Sequence, residues 1–111
     1  MLERFKVPES DRVYVPVDEM RQATEKIFSG MGLANDDAVL SADVLLVNDL
    51  RGVETHGVSN MLRSYVGRYR DSGLNPRPEL RTERESDTPA VLDGGGGIGL
   101  HLARLARKMG L

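Results

Sequence analysis

The sequence predicts a mixed α/β chain: three helices with one short strand, then an incomplete strand-and-helix unit. Three observations carry this. Apolar residues recur at three- and four-residue spacing through three consecutive segments between Val17 and Asp71. The run Asn75-Pro76-Arg77-Pro78 then breaks the pattern, because proline fixes its own backbone and restricts the residue before it. Beyond it come short alternating runs, the glycine cluster Gly94–Gly97 and one more amphipathic stretch.

Size and composition narrow the functional classes. The chain has 111 residues, which fits one small domain. It is 40% hydrophobic and 29% charged, with a formal net charge of −2, a balance that gives no support for a nucleic-acid partner, which calls for a basic surface. No apolar run approaches a membrane span, and Met1-Leu2-Glu3-Arg4-Phe5-Lys6 lacks the apolar core of a secretory signal. The expected location is cytoplasmic. The absence of cysteine excludes disulfides and thiolate zinc sites, and two histidines without carboxylates at matching helical spacing argue against a metal.

Residues 1–11 read as a flexible leader. Arg12-Val13-Tyr14-Val15 alternates polar and apolar as a short strand would, and Pro16 stops it. The first helix is expected from about Val17 to Met31, with Asp18 and Glu19 in its first turn. Its predicted buried stripe is Val17, Met20, Ala23, Ile27 and Met31, and Gly30 and Gly32 supply the stop. Asn35 reads as the N-cap of a second helix running to Leu50, with Ala38, Val39, Ala42, Leu45, Leu46 and Leu50 facing inward. A third helix, from Val58 to about Asp71, carries Val58, Met61, Leu62, Tyr65, Val66 and Tyr69 on one face and ends at Gly73.

The remaining segments are shorter. Leu80–Glu85 reads as an exposed strand, Ser86-Asp87-Thr88-Pro89 as a turn and Ala90-Val91-Leu92 as a buried strand. From Leu100 a last helix places Leu102, Leu105 and Met109 on one face, with His101 as a structural surface residue. A strand, a glycine loop and a helix amount to half a βαβ unit, with no sheet large enough to cover that helix. The chain therefore reads as the N-terminal piece of a longer protein.

Two stretches carry possible chemistry. Gly94, Gly96 and Gly99 match the dinucleotide pattern G-x-G-x-x-G between a strand and a helix. Consecutive glycines generate that pattern by chance, however, and there is no room for the second strand and its acidic residue. A glycine turn into a helix is the favoured reading. The second stretch is Asp49-Leu50-Arg51-Gly52-Val53-Glu54-Thr55-His56-Gly57-Val58, at the junction of two helices. Its histidine stands between two glycines, where the backbone can turn sharply and approach a ligand. Histidine is also the side chain that exchanges protons near neutral pH. On spacing alone, a helix-capping histidine and solvated Arg51, Glu54 and Thr55 serve as well, with Thr55 or Gly57 as the cap. Arg63, Arg68 and Arg70 suit a solvated helix face.

That junction, followed by Tyr65-Val66, Gly73-Leu74-Asn75-Pro76, Leu92-Asp93-Gly94 and Gly97-Ile98-Gly99-Leu100, resembles the malate/L-lactate dehydrogenase family. These are type-2, non-Rossmann, NAD(P)-dependent 2-oxo-acid reductases, and the similarity runs from Val13 onward. The resemblance implies that His56 is the proton donor to the substrate carbonyl in reduction and the base in the reverse direction. It implies that Thr55, where many members have serine, contacts substrate or cofactor, with Arg51, Asn60 and Arg63 as further contacts. Many members carry arginine four residues after the histidine; here that position is Asn60, with Arg63 farther along the helix. NAD or NADP is the implied cofactor, bound mostly by residues beyond Leu111. A small 2-oxo or 2-hydroxy acid is the implied substrate, and a homodimer the implied assembly.

The division expected is a leader over residues 1–11, a helical region with the catalytic histidine over 12–76, and the truncated start of a non-Rossmann cofactor domain over 77–111. The isolated chain is expected to be inactive. The rival reading is a stand-alone helical interaction module that pairs with a full-length relative through the exposed apolar face of its last helix.

Overall fold

The structure, a computed structural model, describes residues 7–85 and 90–108, with the backbone alone at Glu85. Helix α2, Asn35–Leu50, is the element on which the others pack. It buries Ala38, Ser41, Ala42, Leu45 and Leu46, and the three small residues let neighbouring backbones approach closely. Helices α1 (Val17–Gly30), α3 (Val58–Arg70) and α4 (Gly99–Lys108) lie against it. Phe28, Leu33, Ala38, Ala42, Leu45, Tyr69 and Ile98 form the shared core, with Met61, Leu62, Tyr65 and Leu74 packed around them.

The three predicted helices are present, but α1 turns a different face inward. Thr24 and Phe28 are buried, whereas Val17 and Ile27 of the expected stripe are exposed and Met20 and Met31 are half-buried. Phe28 is the largest fully buried side chain and dictates the rotation of the helix. Thr24 is tolerated there because its hydroxyl donates to the Met20 carbonyl at 2.8 Å. Asn35 is the first helical residue and not a cap; Ala34 occupies the cap position and offers no side-chain bond. In α2, Val39 and Leu50 are exposed against expectation.

Helices α1, α2 and α3 end by one device. The amide two residues past the C-cap bonds back to the carbonyl five residues upstream: Leu33 to Phe28 at 3.3 Å, Val53 to Asn48 at 2.8 Å and Gly73 to Arg68 at 2.8 Å. The left-handed residue this needs is glycine in the first two, but in α3 it is Ser72 (φ 59°) and not the neighbouring Gly73. Phe28 and Leu33 are both buried, completing the motif's apolar contact.

Arg12–Val15 is not a strand. Its side chains are exposed, Val13 at 86% and Tyr14 at 82%, and among the described residues no second strand pairs with it. Alternation alone does not make a strand where the ladder has no partner. Part of the leader, Glu9–Asp11, forms a single 3-10 turn, and residues 1–6 lie outside the described residues.

Strands β1 (Arg81–Glu85) and β2 (Ala90–Asp93) pair antiparallel, with Arg81 opposite Asp93 and a bulge between Thr82 and Arg84. Arg81–Arg84 of β1 are exposed as expected. β2 is only half-buried, with Val91 facing out. The predicted turn at 86–89 lies outside the described residues.

The last helix is not exposed on its apolar side. It packs on α2, with Ile98 and His101 buried and Leu102 and Leu105 half-buried. The surface placement expected for His101 is therefore wrong. Ile98, His101, Leu102 and Leu105 recur at three- and four-residue spacing, so the imidazole occupies a stripe position. Met109 lies outside the described residues.

Between the helices and the hairpin runs Asn75–Pro78. The Asn75 amide donates to the Gly96 carbonyl at 2.8 Å and its side-chain nitrogen to the Gly95 carbonyl at 2.9 Å. Arg77 Nε reaches the Gly32 carbonyl at 2.7 Å. One turn thus holds both the glycine loop and the α1–α2 connector.

Candidate active site

The glycine loop before α4 is tied down by hydrogen bonds within itself and to Asn75. The Gly95 amide donates to Asp93 Oδ1 at 2.9 Å and the Gly97 amide to the Gly94 carbonyl at 3.1 Å, while the Gly95 and Gly96 carbonyls accept from Asn75. A Cβ at Gly95, where φ is +59°, would stand 2.8 Å from the Glu79 carbonyl oxygen, and one at Gly97 2.5 Å from Pro78 Cγ. Close packing accounts for these glycines. Two amides of the G-x-G-x-x-G stretch, those of Gly95 and Gly97, are thus already bonded within the loop.

The junction after α2 is built differently. Gly52 takes φ +75°, which glycine reaches without steric cost, and turns the chain back along α2. Glu54–His56 then forms a 3-10 turn, so His56 precedes α3 and is not within it. Gly57 holds the cap position of α3. Having no side chain, it leaves capping to Asp49 of α2, whose Oδ2 accepts the Val58 amide at 2.8 Å. The second junction glycine therefore admits a carboxylate of the same chain and not a ligand.

Two asparagines brace the turn from opposite sides. Asn48 Nδ2 donates to the His56 carbonyl at 3.0 Å, and Asn60 Nδ2 to the Glu54 carbonyl at 2.7 Å. His56 is exposed, and its Nδ1 lies 3.0 Å from Thr55 Oγ1. That contact leaves Nε2 as the ring atom open to a ligand. Glu54 Oε2 is buried and has no partner among the described residues.

The predicted site residues divide accordingly. Thr55, His56 and Asn60 come together at the turn. Arg51 is exposed in the turn after α2, outside that bonded set. Arg63 lines a separate apolar groove of about 490 Å3 between α1 and α3, with Ile27, Met31, Leu62, Val66 and Arg70. Sequence reasoning missed Asn48 and Asp49 as site residues. The available signal was an acid in the last turn of α2, where its own helix dipole disfavours it.

Away from the turn, the core holds unpaired polar atoms. Ser41 Oγ, Tyr69 Oη and both ring nitrogens of His101 are buried without partners among the described residues. Burial, with Asp37 and then Tyr65 adding to it, pushes the Tyr69 phenol up to about 12. Burial holds His101 below its ordinary value, and Asp37 opposes that effect only in part. No group of three or more potential metal ligands occurs among the described residues, and no described helix is long and apolar enough to cross a membrane.

Comparison with known proteins identifies the setting of this site. Residues 15–111 match the family described as malate/L-lactate dehydrogenase. The malate dehydrogenase of Pyrococcus abyssi is 34% identical over 99 residues, which is 89% of this chain and 27% of that protein. The L-sulfolactate dehydrogenase of Methanocaldococcus jannaschii is 28% identical over 85 residues, covering 77% of this chain and 24% of that protein. In structure, the chain superposes on malate dehydrogenase from Pyrococcus horikoshii OT3 with a TM-score of 0.83 and 34% identity, over 97% of this chain and 30% of that one. The chain thus spans about a quarter of the length of these relatives. It belongs to the malate/L-lactate dehydrogenase family.

Proposed function

We propose that this chain is the N-terminal part of an oxidoreductase that transfers hydride between NADH or NADPH and a small 2-oxo acid, giving the L-configured 2-hydroxy acid. The observation that carries the reading is the exposed His56 ring on a braced turn, with Nδ1 held by Thr55 and Nε2 open. In reduction, Nε2–H gives its proton to the carbonyl oxygen of the substrate as that oxygen becomes a hydroxyl. In the reverse direction Nε2 takes the hydroxyl proton. Thr55 fixes which nitrogen works.

The nicotinamide supplies the hydride when bound. The glycine loop is a poor cradle for it, since the Gly95 and Gly97 amides are bonded within the loop. We assign the principal cofactor contacts to residues outside this chain, and residues 77–111 to the first part of the cofactor domain. The substrate carboxylate needs a cationic or amide partner. Asn60 is occupied with the Glu54 carbonyl and Arg63 faces the α1–α3 groove, so neither is assigned that task. The 111-residue chain alone is expected to turn over no substrate.

The test is His56→Ala in the catalytically competent polypeptide that carries this sequence. Loss of a positioned acid–base group lowers turnover by roughly 10²–10⁴-fold. Turnover within about twofold of wild type would remove His56 from the mechanism.

A further inference from the structure

Asp49 stands in the last turn of α2, where a negative charge opposes the carbonyl ends of its own helix. Its favourable contacts lie across the junction. Oδ2 accepts the first amide of α3, at Val58, and the carboxylate lies so close to Gly57 that a Cβ there would fall 1.7 Å from Oδ1 and 2.3 Å from Cγ. The preceding residue, Asn48, holds the His56 carbonyl. Adjacent residues of one helix thus grip the chain on both sides of Gly57. His56 cannot swing relative to α2 while both contacts persist.

We propose that Asp49 is a positioning residue for His56: by holding the Val58 amide and filling the space over Gly57, it fixes the backbone from which the imidazole projects and so keeps Nδ1 at Thr55. The inference rests on the reading of His56 as the proton-transfer group and adds the residue that aims it. The device needs an acceptor at this reach, which asparagine also supplies through Oδ1. Alanine supplies none.

The chain has two histidines, which makes the test internal: His56 reports the turn and His101 the core. Imidazole ¹⁵N spectra of the 111-residue chain give the tautomer ratio of each ring. In Asp49→Ala, the His56 ratio is expected to move to that of free histidine while His101 stays unchanged. Asp49→Asn is expected to keep the wild-type His56 ratio. Gly57→Ala displaces the carboxylate without deleting it and is expected to move His56 as Asp49→Ala does. An unchanged His56 ring in Asp49→Ala or Gly57→Ala overturns the proposal. So does movement of both rings together in these variants, which marks a general structural role, or an Asp49→Asn spectrum matching Asp49→Ala, which marks a charge effect. No turnover is read, so failure of His56 as proton donor is detected separately.

Discussion

The Asp49 carboxylate fills the space that a side chain at Gly57 would need, with Oδ1 1.7 Å from the position of that Cβ. The φ of Gly57 is −90°, which any residue adopts, so space and not backbone freedom requires glycine here. Gly57→Ala is therefore expected to destabilise the chain by about 1–3 kcal/mol in urea denaturation. In an Asp49→Ala background the same change should cost less, with a coupling of about 1 kcal/mol or more across the double-mutant cycle. Additive effects would show that the two positions do not compete for that space.

Ser72 bears a left-handed φ of 59° at the end of α3, next to a glycine that does not take it. A non-glycine residue there costs on the order of 1 kcal/mol. Ser72→Gly should recover about that amount, less the greater entropy glycine gives the unfolded chain, and raise the melting temperature by a few degrees. A lower melting temperature would mean that the Ser72 side chain contributes something its described contacts do not include.

His101 makes stability depend on pH. Burial lowers its value in the folded state below the ordinary 6.5, so below that pH the unfolded chain binds the proton more readily. The contribution is fully present above about pH 6.5 and is lost as pH falls through the lower folded value, with a limiting slope of about 1.4 kcal/mol per pH unit. Asp37 on α2, the charged neighbour acting on the ring, narrows the window without reversing the sign. Tyr69 stays neutral throughout this range. Denaturation midpoints from pH 7.5 to 5 should fall in wild type and flatten in His101→Leu, which also removes two unpaired buried nitrogens. Equal slopes in the two proteins would sink the assignment.

Gly95 meets Glu79 backbone on one side and takes φ +59°. Gly95→Ala should cost more than about 1 kcal/mol through both effects, and should loosen the loop on Asn75. Hydrogen exchange reads this directly: the Asn75 amide, bonded to the Gly96 carbonyl, should lose protection, whereas amides in the middle of α2 keep theirs. Equal loss in both would place the effect in the whole fold.

Much of the helical region was legible in the sequence because helix formation is a local matter. The bounds of α1, α2 and α3 fall within a residue of the apolar periodicity, and the stripe on α3 is the one that packs. The glycine loop was also read correctly as a turn into a helix. The junction motif singled out Thr55 and His56, and the resemblance added Asn60; the structure gathers all three at one turn.

Tertiary structure decided what a one-dimensional pattern leaves open. Which face of α1 turns inward depended on where Phe28 found room, and whether Val13–Val15 became a strand depended on a partner that these elements do not provide. His101 is buried because α4 docks on α2, against the preference of an imidazole for water. Asp49 and Gly57 acquire their meaning only when two helices bring a carboxylate and a bare Cα together. Periodicity and motif describe neighbours along the chain; contacts between separate elements set burial, pairing and the backbone that carries His56.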